Sequence, residues 1–310
     1  MMSPSILMYI FVYLSGFIMF FHFNEWFVLW VSMELVMYGF LVLSFNPSNL
    51  EVEESCYKYF FVQSLGSGAL LGLMYLGVHD VVMEIVLFYK IGLGPFYYWY
   101  LSVMGGLGWV SCFVLMTIQK LIPMVMLREM DFFVGWIFIV VSLAIGLLGS
   151  LGQVILKDLL VYSSLHYMGW ILLMEMMEGE FWMIYFFMYS FMLGCVVVSF
   201  SRSGCLMVGE VGNKHMIPVV LSLFVLGGVP PFLGFVLKWV GFVYLLGLDM
   251  MMVVVLAVFS VIMCYVYFRV GINMVLVSGG LGSAGVVDDT SYYVFSGVVS
   301  GWILYLWGSV

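Results

Sequence analysis

Apolar runs of roughly helix-crossing length alternate with short polar or turn-forming breaks along the whole 310-residue chain. Taking each run as one helix predicts about eleven spans, near 5–21, 23–45, 57–78, 81–101, 108–128, 131–151, 155–176, 180–201, 216–248, 250–272 and 290–308. A helix satisfies its own backbone hydrogen bonds in hydrocarbon, and the alternating ten-residue segments of a β-barrel are not seen, so the pattern predicts an all-α membrane protein. The first run has no basic residue before it and no small-residue cleavage site after it, so it is expected to be a retained span.

Two runs carry an internal break. The ninth is too long for one straight helix and holds "LGGVPPFLGF"; the fourth is interrupted at Gly94 and Pro95. Proline removes a backbone donor and clashes with the preceding turn, so both are expected to be broken helices. The breaks share a pattern, G-x-x-P-F, at Gly92 to Phe96 and at Gly228 to Phe232. A second echo pairs Tyr59, Phe60, Phe61 and Ser64 with Tyr185, Phe186, Phe187 and Ser190. Together they predict two five-helix repeats, about 5–128 and about 131–272, plus one extra helix at about 290–308, in a single membrane domain. Because five is odd, the second copy enters the membrane inverted, an arrangement that builds polar sites at the midplane of secondary transporters.

Composition agrees with this picture: 65% of residues are hydrophobic and 8% charged, against about a quarter charged in soluble domains. The net charge of −8 adds little, since most acids sit in short loops such as "NLEVEES" and "MEGE". Cys56, Cys112, Cys195, Cys205 and Cys264 are scattered without metal-ligand spacing and are expected to be small apolar residues. "GLGSAG" at Gly280 to Gly285 matches a nucleotide-binding pattern by letter only, because it neither follows a strand nor opens a cofactor-binding helix. Nothing suggests nucleic acid as a partner. With the N-terminus on one side, Lys58, Lys157, Arg202, Lys214 and Arg269 fall near that same side and only Arg128 near the other. The positive-inside rule makes the basic side the compartment of synthesis, with the C-terminus opposite.

The chemistry lies in charges placed where charges are costly. Glu34, Lys90, Lys120 and Lys238 fall near span centres or beside a break, where each ionised group costs about 2.5–3.5 kcal/mol. Lys90 is too deep for snorkelling alone. Desolvation lets a lysine, unlike an arginine, release its proton, and a nearby carboxylate holds that proton in place. Making and breaking a Glu34–Lys90 contact therefore switches the lysine between holding and passing a proton, with water at the opened backbone as the route. A static ion pair clamping two helices is the structural alternative. His166, in "LVYSSLHYMGW", is a candidate relay or an ordinary hydrogen-bonded interhelical residue.

"NPSNLEVEESCYKYFFVQSLGSGALL", "YKIGLGPFYYW", "TIQKLIPM", "LGQVILKDLLVYSSLHYMGWILL" and "LFVLGGVPPFLGFVLKW" occur in this order and cover the chain from about Glu34 to Trp239. They resemble the motifs of the chain 2 family of NADH:ubiquinone oxidoreductase, respiratory complex I. The resemblance implies an antiporter-like, proton-translocating subunit lying between chains 4 and 4L in the mitochondrial inner membrane among its lipids. Its N-terminus would face the matrix and its C-terminus the intermembrane space. Glu34 and Lys90 match the family's carboxylate–lysine pair, Lys120 its central lysine and Lys238 its exit-side lysine. No cofactor is expected in this chain; NADH, flavin, Fe–S clusters and ubiquinone belong to other subunits, so the chain takes part in the enzyme without redox chemistry of its own. Animal mitochondrial members lack the first three spans of bacterial ones, which fits about eleven spans.

Two departures stand out. The family's histidine before Met-Gly-Trp is Tyr167 here, with His166 one place earlier, about 100° around a helix. A basic pair of the family is Lys157 and Asp158 here. A stand-alone cation/proton antiporter and a scaffolding subunit with static ion pairs share these features and remain as alternatives.

Overall fold

The computed structural model describes residues 4–23, 25–77, 80–128, 130, 134–176, 181–210, 213–230, 232–245 and 250–277. Among them are thirteen α-helices: α1 (Pro4–His22), α2 (Trp26–Ser44), α3 (Leu50–Leu76), α4 (Asp80–Ile91), α5 (Tyr98–Gly106), α6 (Trp109–Met116), α7 (Ile118–Arg128), α8 (Gly135–Ser150), α9 (Leu156–Met176), α10 (Phe181–Ser203), α11 (Asn213–Gly227), α12 (Leu233–Leu245) and α13 (Met250–Val277). No strand is formed by the described residues, only a single β-bridge between Ile155 and Met207.

Each of the first ten apolar runs is helical, but the expected count of eleven spans is not reached. Among the described residues, five helices are long and apolar enough to cross a membrane, or six if Asp80–Phe96 and Tyr98–Gly106, bent by 87°, make one span. The apolar stretches Met8–His22, Gly135–Ser150, Met216–Gly227 and Leu233–Leu245 are shorter. The physical reason is clearest in the ninth run, where the Gly–Pro break cuts one long stretch into α11 and α12. The eleventh run, 290–308, and "GLGSAG" lie outside the described residues, as does Pro231 in the second break.

The chain divides into two compact units, Met1–Ser142 and Leu143–Val310. In the first, α1 and α2 pack at glycines: a Cβ at Gly39 would lie 2.8 Å from Tyr13, and one at Gly16 would lie 2.7 Å from Val36. Small residues let helices approach when lipid offers no hydrophobic drive between them. Trp30 ties α2 to α3 by donating to the Ser67 carbonyl at 2.8 Å. The interruption at the end of α4 is bridged by Phe138, whose ring stacks on Phe88 at 4.8 Å and on Phe96 at 6.0 Å. In the second unit, Gly146 and Gly149 bring α8 against Tyr162 and His166 of α9. The loops before α9 and after α10 are pinned together by Leu156 N–H to Leu206 O and Val208 N–H to Val154 O, both 3.0 Å.

The two breaks share three backbone hydrogen bonds in the same register. Gly92 (φ 79°) and Gly228 (φ 73°) end α4 and α11 in the left-handed region. Leu93 N–H reaches back to Phe88 O at 3.0 Å, as Val229 N–H does to Phe224 O at 3.3 Å. Gly92 N–H bonds Tyr89 O at 3.2 Å and Gly228 N–H bonds Val225 O at 3.3 Å. This is the glycine-terminated helix ending in which two backward bonds satisfy orphan carbonyls. Phe96 N–H to Leu93 O and Phe232 N–H to Val229 O complete the same turn at 3.2 and 2.8 Å. The second echo also matches in burial: Tyr59 and Tyr185 are buried, while Phe61 and Phe187 are each 63% exposed.

Candidate functional site

In the first unit the site gathers around the end of α4. Lys90, in the last turn, is buried, and the helix macrodipole there favours a cation. Its backbone carbonyl, freed by the break, accepts from the Gln63 amide at 3.0 Å, and the Tyr89 carbonyl accepts from the Trp99 indole at 3.1 Å. Buried polar groups beside an interrupted helix need such partners. Gly66 makes room for the lysine: a Cβ there would lie 2.7 Å from Lys90 Cγ.

The Lys90 ammonium faces the Met33 sulfur at 3.9 Å and is within electrostatic reach of half-buried Glu34, the next residue of α2. No direct carboxylate–ammonium contact joins Glu34 and Lys90. The two groups are therefore near each other without touching.

Lys120 is on α7, buried, and its Nζ has no hydrogen-bond partner among the described residues. It lies over the Tyr100 ring, 4.3 Å from the centroid, a cation–π contact. The backbone around it is interrupted twice. α6 ends at Thr117, whose hydroxyl donates to Phe113 O at 2.7 Å, and Pro123 lies inside α7.

The second unit builds its counterpart at the α11–α12 break. Lys238 is buried on α12, and its ammonium donates back to the Gly227 carbonyl at 2.8 Å. The adjacent carbonyl, Leu226 O, accepts from the Tyr167 hydroxyl. Tyr167 stacks on Tyr189 with centroids 4.8 Å apart. His166 points elsewhere, as its one-residue displacement implies. Its Nε2 is met by the Trp170 indole at 3.3 Å, and its backbone packs against Gly146 of α8, although Lys238 is still within electrostatic reach. At Lys238, α12 and α13 flank a cavity of about 780 Å³ lined mainly by apolar side chains, with Lys238, Ser260, Arg269 and Asn273 among the polar ones.

Sequence reasoning passed over two buried acids. Glu84 is on α4, and its Oε2 accepts from the Val134 N–H at 3.2 Å, just before α8 begins. Glu175 is buried near the end of α9. Both lie near the ends of apolar runs, where acids are ordinarily solvated; the apolar residues on both sides of Glu84 were the available signal.

Two matching broken helices, each beside a buried lysine, are a feature of secondary-transporter folds, and comparison with known proteins narrows the class to antiporter-type subunits. Residues 77–264 match the family described as NADH:quinone oxidoreductase/Mrp antiporter, TM. The chain is 32% identical over 278 residues to NADH-ubiquinone oxidoreductase chain 2 of Anopheles gambiae, covering 82% of this chain and 81% of that one. It belongs to the NADH-ubiquinone oxidoreductase chain 2 family. Its fold is similar to a chain of respiratory complex I from Thermus thermophilus, with a TM-score of 0.78, 18% identity and coverage of 97% of this chain and 77% of that one. It is also similar to a chain of the Mrp complex from Dietzia sp., with a TM-score of 0.70, 16% identity and coverage of 87% and 59%.

Proposed function

We propose that the chain translocates protons as a membrane subunit of respiratory complex I, in the mitochondrial inner membrane. Glu34, Lys90 and Lys120 act in the first unit and Lys238 in the second. The observation that carries this reading is the pair of bond-matched helix breaks, each with a buried lysine at the opened backbone. The same matches support two inverted repeats within a single antiporter-like domain. In each unit, a gain or loss of charge at one group changes the electrostatic cost of charge at the next. Glu34 acts as the switch on Lys90, Lys120 as the intermediate proton holder, and Lys238 as the holder that reaches the α11–α12 break. His166, turned towards Trp170, serves as an electrostatic neighbour of Lys238 with a candidate relay role.

NADH oxidation and ubiquinone reduction, with flavin and Fe–S clusters, take place in other subunits. Chains 4 and 4L are the expected neighbours, and the exposed apolar side chains of α13, such as Val261, Tyr265 and Ile272, suit contact with lipid or another membrane subunit. The basic residues favour an N-terminus in the matrix and a C-terminus in the intermembrane space. The test is proton yield per NADH oxidised in vesicles containing the assembled complex. Lys90→Met and Lys120→Met should each lower it; an unaltered yield in either variant removes that lysine from the pathway.

A further inference from the structure

Gln119 directly precedes Lys120, and its side chain is the meeting point of four helices. Its Oε1 accepts from the Tyr59 hydroxyl of α3 at 3.2 Å. Its Nε2 donates to the Tyr13 hydroxyl of α1 at 3.5 Å and to the Val36 carbonyl of α2 at 3.4 Å. Tyr59 and Tyr13 are both buried. Val36 is two residues beyond Glu34, and Glu34 is within electrostatic reach of Tyr59. One amide therefore links the helix that carries Glu34 to the helix that carries Lys120.

These side-chain bonds matter because the local backbone is loosely held. Four residues after Gln119 is Pro123, which has no N–H to offer the Gln119 carbonyl. Two residues before it, Thr117 ends the preceding helix with φ −118° and ψ −82°. The position of Lys120 thus depends on contacts such as those of Gln119 more than in an unbroken helix.

We infer that Gln119 is a positioning residue for proton transfer, coupling the charge state of Glu34 through Tyr59 to the placement of Lys120. A tyrosine hydroxyl has one proton to donate. In the structure Tyr59 gives it to Gln119 Oε1. An ionised carboxylate only accepts, so an ionised Glu34 competes for that proton, whereas a protonated Glu34 does not. Tyr59 keeps its proton throughout and only changes acceptor, so no net charge moves on the tyrosine. When Tyr59 turns away, Gln119 loses one of its bonds and the start of α7 is released by that amount.

This inference rests on the proton-translocating reading above, and the experiment separates the two. Proton yield per NADH oxidised is measured in vesicles holding the assembled complex with Gln119→Leu, Tyr59→Phe, both changes together, or Lys120→Met. Tyr59→Phe is expected to lower the proton yield roughly fivefold, the scale set by one lost hydrogen bond, and Gln119→Leu, which removes all three bonds, by at least as much. The double variant should be no worse than the more affected single one, because both break the same link. If Gln119→Leu fails to assemble, Tyr59→Phe, which removes only a hydroxyl, decides the matter. Normal yield in an assembled Tyr59→Phe complex while Lys120→Met is impaired overturns the role of Gln119 alone. Normal yield in Lys120→Met removes Lys120 from the proton pathway, the part of the underlying reading on which this inference rests. Additive losses in the double variant also overturn the coupling, since they show two independent packing defects.

Discussion

Lys238 donates to the carbonyl of Gly227 at 2.8 Å, so the ammonium caps the end of the helix whose break brings it close. Tyr167 takes the next carbonyl, Leu226 O. The two donors occupy consecutive backbone groups. Moving the lysine therefore leaves Gly227 O in need of another partner, while Leu226 O stays satisfied.

Tyr167→Phe is predicted to destabilise the second unit by about 1–3 kcal/mol, because it leaves a buried carbonyl without its donor. Thermal unfolding of the assembled complex measures this. No loss of stability would mean that Lys238 or water takes over Leu226 O, in which case proton yield rather than stability should change.

Gly228→Ala should be harmful twice over. A side chain at φ 73° is strained by about 1–2 kcal/mol, and its Cβ would lie 3.0 Å from Lys238 Nζ. Gly152→Ala is the comparison, with φ 104° and nothing within 4 Å of the new Cβ. It should show strain without loss of proton yield, so equal proton yields in the two variants would remove the contact with Lys238 as a cause.

Gly66→Ala is expected to act through Lys90, since the new methyl would lie 2.7 Å from Lys90 Cγ. Gly68→Ala, two residues along the same helix, meets nothing within 4 Å. It should be neutral or slightly stabilising, as alanine suits a helix interior better than glycine by about 0.5–1 kcal/mol. Proton yield should therefore fall in the first variant and stay normal in the second.

Lys120→Met separates stability from transport. The lysine has no hydrogen-bond partner among the described residues, only the Tyr100 ring. Replacing a buried, poorly compensated cation by an apolar side chain of similar shape should leave assembly intact or improve it. Proton yield should drop in the same preparation. Lower assembly with normal transport in the complexes that form would instead mark Lys120 as a structural residue.

Much of this arrangement was readable before any coordinates. G-x-x-P-F located both breaks, because glycine and proline alter the backbone by themselves, without help from distant residues. Mid-span lysines were equally visible, since a charge in an apolar run is rare on energetic grounds. The interruption at Thr117 was not readable: threonine is common inside membrane helices, and only the neighbouring Pro123 hinted at weakness. Gln119 carries no such signal within "TIQKLIPM", because its partners Tyr59, Tyr13 and Val36 come from helices far away in sequence. The count of eleven spans is not reached among the described residues, where several apolar runs form helices shorter than a full crossing.

Phe138 lies against Phe88 on one side of the first break and Phe96 on the other. It acts as a splint across the interruption from Gly92 to Pro95. Straightening that interruption would part these aromatic stacks, whereas the four-carbon stem of Lys90 reorients by rotation about single bonds. The moving part beside this break is then the side chain, and the bent backbone serves as the fixed mount on which it swings.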